Sequence, residues 1–132
     1  ALAKQYSTFS NMIFIARGVN FPVAMEGALK LKEISYIHAE GYSGSELKHG
    51  PIALLDANMP VVAVLAPGAV FEKMISNCQE AKARNAQVIA FTCEPIPEGA
   101  KPTFDAIVML PSTHELLTPL LTAMPLQALA YY

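Results

Sequence analysis

Charge is scarce in this sequence. Only 15% of its 132 residues are charged and 53% are hydrophobic, where an ordinary globular domain carries roughly 25% charged residues. Such a chain buries more than it can easily cover, so either partners hide part of its surface or it belongs to something larger. Nine basic residues stand against eleven acidic ones, and no basic stripe exists to displace counterions, which argues against nucleic acid as a partner. No apolar run approaches the ~18 residues that cross a bilayer, which excludes the membrane-protein class. Residues 1–10 include Lys4 and several polar side chains without the apolar core of a secretory leader. Cysteine is limited to Cys78 and Cys93, neither with a CxxC or histidine neighbour. Two buried free thiols in a reducing compartment are expected, and neither a disulfide framework nor a metal site. The reading is a cytoplasmic protein of one domain spanning residues 1–132.

Several short apolar runs do occur. Residues 11–17 (NMIFIAR), 60–65 (PVVAVL), 87–92 (QVIAFT) and 105–110 (DAIVML) read as buried strands. Asn20 and Pro22 open a helix that runs to about residue 37, with Asn20 as its capping side chain. Val70, Phe71, Met74, Ile75, Cys78 and Ala81 recur at helical spacing and predict an amphipathic helix to about residue 85. Residues 116–132 are helical in pattern, with Pro119 and Pro125 predicting a kink or a late start. Ser43 and Glu46 have the spacing of a capping box, so a short helix should begin near Ser45 and stop at Gly50-Pro51. Residues 93–103 (CEPIPEGAKPT) read as a proline-rich surface loop. Strands alternating with helices predict an α/β fold, a three-layer αβα sandwich around a mostly parallel sheet.

The sparse charge is concentrated. Residues 26–51, EGALKLKEISYIHAEGYSGSELKHGP, include two of the three histidines. On a helical wheel Glu26, Lys30 and Glu33 fall within about 60° of one another, flanked by Val23 and Ile34 on one side and by Met25, Leu29 and Tyr36 on the other. Spacing alone allows a surface ladder of ion pairs. It also allows a stripe facing a cleft, where a carboxylate serves as general base and a lysine steadies an anionic intermediate. His49 closes the short segment before Gly50-Pro51; alone it reads as a helix-end residue, and His38 points away from the stripe. Ser43 and Ser45 before a helix start, and Arg17-Gly18 at a strand end, are weaker candidates for a phosphate or crevice contact.

Taken whole, residues 26–51 resemble the glutamine–fructose-6-phosphate aminotransferase family, specifically the second of its two sugar isomerase (SIS) subdomains. FIARGVNFPVAMEGALKLKEISYIHAE, ELKHGPIALLDANMPVVAVLAP and the closing PLQALAY carry the similarity in order along nearly the full chain. The resemblance implies a flavodoxin-like SIS fold and conversion of fructose 6-phosphate to glucosamine 6-phosphate with glutamine-derived ammonia, using no metal or organic cofactor. In the family pattern E-x-x-x-K-x-x-E the second glutamate, here Glu33, moves a proton between C1 and C2. The lysine, here Lys30, assists and holds the open-chain sugar. The histidine of ELKHGP, here His49, opens the sugar ring and reaches the neighbouring subunit's site. Glu26 takes a supporting role.

The resemblance also implies partners: a sugar phosphate, a second copy in a homodimer, and a first SIS subdomain and a glutaminase domain in a parent chain. Neither of those domains, nor the family's C-terminal tail, is read in these residues, and a lone SIS subdomain is expected to be inactive. The alternative is a non-catalytic SIS module of a regulator that senses a phosphosugar. It would need a complete phosphate loop, and the E-x-x-x-K-x-x-E and KHGP patterns favour the enzyme.

Overall fold

The computed structural model describes all 132 residues. Five strands, β1 (Asn11–Ala16), β2 (His38–Ser43), β3 (Val61–Leu65), β4 (Val88–Thr92) and β5 (Ala106–Met109), form one sheet in the order β2-β1-β3-β4-β5. Every pairing is parallel. Four helices accompany them: α1 (Leu2–Tyr6), α2 (Phe21–Ser35), α3 (Phe71–Ala83) and α4 (Thr118–Tyr131). The expected αβα sandwich is therefore present, with a fully parallel sheet.

Handedness explains where the helices lie. The chain moves from β1 outward to β2 through α2, and in the opposite direction from β3 to β4 through α3. Parallel crossovers are right-handed, so reversing the direction of travel puts α2 and α3 on opposite faces. The core divides accordingly. On one face Met12, Phe14 and Ala16 of β1 meet Val23, Ala24, Ala28 and Leu31 of α2 and Leu126 and Leu129 of α4. On the other, Ile13 and Ile15 meet Met74, Ile75 and Cys78 of α3, together with Leu47 and Leu55. The central strands β1, β3 and β4 are covered on both faces, which is why they consist of nearly continuous apolar residues.

Several expectations need correction. Residues 38–43 are a fifth strand, at the sheet edge, where no strand was read. Its exposed and half-exposed side chains lack the apolar run that marks a central strand. Helix α2 stops at Ser35 because Tyr36 turns into the left-handed conformation at φ 60°. Asn20 does not cap α2 with its side chain. It is fully buried, donating from Nδ2 to Thr118 Oγ1 at 2.7 Å and accepting from Thr122 Oγ1 at 3.0 Å, and so ties α2 to α4. The capping box does not form: Gly44–His49 is a 3-10 segment without a side-chain cap, and Ser43 Oγ pairs with Ser45 Oγ at 2.7 Å.

The supposed surface loop also contributes to the core. Ile96, Ala100 and Thr103 are buried, the last two in a 3-10 segment, Glu98–Thr103, that crosses beside α3. Strand β5 is half-exposed instead of buried, because it is the other edge strand, with Ile107 at 37% and Met109 at 54% exposure. Helix α4 starts late, at Thr118, with Pro119 in its first turn and Pro125 inside it. Both cysteines are buried and unpaired, as read.

Candidate active site

Helix α2 supplies the charged stripe. Its apolar positions Val23, Ala24, Ala28 and Leu31 face β1 and β2, which turns Glu26, Lys30 and Glu33 outward. Lys30 Nζ donates to Glu33 Oε2 at 2.8 Å and lies 3.6 Å from Glu26 Oε1. The lysine is thus held between two carboxylates, one turn away in each direction. Glu33 raises the proton affinity of Lys30 above the ordinary lysine value, mainly through that hydrogen bond and next through its charge, and Glu26 adds to the effect. Lys30 is accordingly an ammonium and a donor at neutral pH. Only Oε2 of Glu33 is engaged; Oε1 has no hydrogen-bond or ion-pair partner within the chain.

The ladder is open to solvent in this chain. Side-chain exposure is 42% for Glu26, 30% for Lys30 and 52% for Glu33. The cleft reading is not realised within one copy; any shelter must come from a surface laid over α2. The apolar neighbours Met25, Leu29, Ile34 and Tyr36 are exposed beside the charges, so such a surface would meet an apolar border with a charged seam.

His49 is elsewhere. It ends the 3-10 segment Gly44–His49, whose Leu47 is buried in the α3-side core, and it is exposed. The segment that carries it packs on α3, and His49 shares no hydrogen bond or ion pair with the α2 stripe. The structure therefore brings Glu26, Lys30 and Glu33 together and does not bring His49 to them. His38 is exposed at the start of β2, 3.5 Å from Glu40 and away from the stripe. Arg17, just after β1, is half-buried and donates from Nε to Asn77 Oδ1 at 3.0 Å. No group of three or more His, Cys, Asp or Glu side chains comes close enough to hold a metal ion. The apolar hollow of about 200 Å³ lined by Tyr6, Leu31, Ile34 and Leu129 includes none of these candidate residues.

A parallel five-stranded sheet between helical layers, in the order β2-β1-β3-β4-β5, defines the fold class. The model of the SIS domain family matches residues 6–132, and the chain belongs to that family. Over its whole length it is 57% identical to the glutamine–fructose-6-phosphate aminotransferase of Thermosynechococcus vestitus. It is 53% identical over 131 residues to that of Bacteroides thetaiotaomicron. The chain spans only 21% of the length of either relative. Among solved structures, it superposes with a TM-score of 0.87 and 43% identity on the C-terminal domain of glucosamine-fructose-6-phosphate aminotransferase from Francisella tularensis, covering 98% of this chain and 36% of that one. Tagatose-6-phosphate ketose/aldose isomerase from Escherichia coli shares the fold, with a TM-score of 0.79 at 20% identity over 98% of this chain and 36% of that one.

Proposed function

We propose that this domain is the second SIS subdomain of a glutamine–fructose-6-phosphate aminotransferase, and that it supplies the acid–base groups of sugar isomerisation. Glu33 carries the reaction: its carboxylate takes a proton from one of the two carbons C1 and C2 and returns it to the other through an enediol-like intermediate. Lys30 stands 2.8 Å from Glu33. Its ammonium stabilises negative charge developing on the sugar oxygens and holds the open chain in place. Glu26 keeps Lys30 oriented from the other side. His49 opens the sugar ring in the neighbouring subunit of a homodimer, a role favoured by the packing of its segment on α3 and not on α2. A first SIS subdomain and a glutaminase domain complete the cytoplasmic enzyme, and the 132-residue chain alone turns over no fructose 6-phosphate.

The observation that carries this reading is the Glu33–Lys30 pair on a helix, with the second carboxylate oxygen unengaged. The family similarity along the whole chain supports it. In the full-length enzyme Glu33→Gln should lower glucosamine 6-phosphate formation by a factor on the order of 10² to 10⁴, while glutamine hydrolysis continues. Wild-type synthesis by Glu33→Gln, or equal loss of both activities, would overturn the assignment. Turnover by the isolated chain would overturn the claim that it is incomplete.

A further inference from the structure

The residues that hold His49 in place lie on another element, and none of the roles above uses them. Gly44–His49 is one short 3-10 segment with Ser45, Glu46, Lys48 and His49 all exposed. Left to itself a segment of this kind would sample many backbone states. It is pinned to α3 at three points. Leu47 is completely buried among Met74 and its neighbours. Gly44 lies so close to α3 that a Cβ there would stand 2.7 Å from Asn77 Oδ1 and 2.8 Å from Met74 Sδ. Lys48 Nζ pairs with Glu80 Oε1 at 2.8 Å.

Asn77 is the hub. It is polar yet only 4% exposed, on the packed side of an amphipathic helix. Its Oδ1 accepts from Arg17 Nε at 3.0 Å, and its Nδ2 donates to Glu80 Oε2 at 3.4 Å. A continuous polar chain thus runs from the end of β1 through α3 to the residue beside His49. An apolar side chain would fill the same space without needing two partners, so the network is a specific alternative to plain packing.

We propose that Asn77 is a positioning residue for His49, fixing the segment Gly44–His49 on α3 through Arg17, Glu80 and Lys48. This rests on the reading of His49 as the ring-opening group. A side chain that acts across a subunit boundary must be held by its own chain, and a misplacement of 1 Å can lower a rate by about 100-fold.

The test is a double-mutant cycle in the full-length enzyme with Asn77→Leu, His49→Asn and the pair together. Asn77→Leu should lower kcat for fructose 6-phosphate by about tenfold or more, with KM and glutamine hydrolysis little changed. On top of His49→Asn it should add nothing, because residues acting through one group are not additive. If Asn77→Leu does not fold, Glu80→Gln, which breaks the Lys48 pair at constant volume, is read by the same criteria. Wild-type turnover with an impaired His49→Asn overturns the positioning role and leaves the proposed function standing. A loss that adds in full to His49→Asn makes Asn77 merely structural and also overturns it. Wild-type turnover in His49→Asn removes the ring-opening reading itself, and the proposal with it.

Discussion

Gly41 is where the fold tolerates no side chain near the proposed acid–base helix. A Cβ at this position of β2 would stand 2.7 Å from Met25 Cα and 2.8 Å from Met25 N. Ordinary contact begins at 3.4 Å, and the clashing atoms are backbone, which cannot swing aside as a side-chain tip can. Gly41→Ala must therefore push α2 from β2 by about 0.7 Å, or lose pairing along β1, at an overpacking cost of roughly 1–3 kcal/mol. With a urea slope of roughly 2 kcal/mol/M, the denaturation midpoint should fall by about 1 M. Gly99→Ala is the matched control: nothing lies within 4 Å of the added methyl group, and the change should be neutral or stabilising by up to about 1 kcal/mol. Because Met25 adjoins Glu26, the same displacement should lower isomerisation in the full-length enzyme. An unchanged midpoint for Gly41→Ala, or equal shifts in both variants, would refute the close-approach argument.

Burial raises the proton affinity of Cys78 strongly and, with Glu94 adding, that of Cys93. Both thiols should stay unreactive toward an aromatic disulfide reagent at pH 8 until the chain is denatured, and prompt labelling of the folded chain would contradict their placement. The unfolded thiols ionise near pH 8.5 while the folded ones stay protonated, so the unfolded chain binds fewer protons and stability should fall as pH rises beyond about 8.5. Urea midpoints across pH 7–10 check this, and Cys78→Ala should flatten the decline. The two-subunit reading of the site is checked by mixing Glu33→Gln and His49→Asn subunits of the full-length enzyme. Random dimers that share groups across the boundary regain about a quarter of wild-type activity, whereas a site confined to one subunit regains none.

The central strands were legible because being covered on both faces forces apolar runs such as VVAVL and VIAFT. Edge strands relax that demand. Strand β2 reads HAEGYS, in which only Ala39 is fully covered, while His38, Glu40 and Tyr42 share one side and Tyr42 donates to Glu40 at 2.6 Å. The one cue in the sequence was Gly41, small because α2 crosses there. Capping motifs misled for a related reason. Asn20 and Ser43 carry the right chemistry for caps, but other hydroxyls claimed both side chains: the distant Thr118 and Thr122 for Asn20, and the neighbouring Ser45 for Ser43. Asn77 was invisible because a polar residue in an amphipathic helix is expected to face water, and here it is buried by Gly44 and Arg17 arriving from distant parts of the chain. The stripe was legible as a ladder because three- and four-residue spacings dictate it. Whether anything covers it was not, since that depends on surfaces beyond α2.

Topology then decides how the candidate groups can work together. The α2 crossover and the Gly44–His49 segment leave edge strand β2 at its two ends, and each packs on a different face. The proposed reaction, which uses both Glu33 and His49, draws them from two copies. Assembly is then a condition of the proposed chemistry, which agrees with a chain that is 53% hydrophobic and only 15% charged. The exposed Met25, Leu29, Ile34 and Tyr36 beside the Lys30 ladder are consistent with the same demand. Covering them would exclude water from around Glu33 and strengthen its interaction with Lys30.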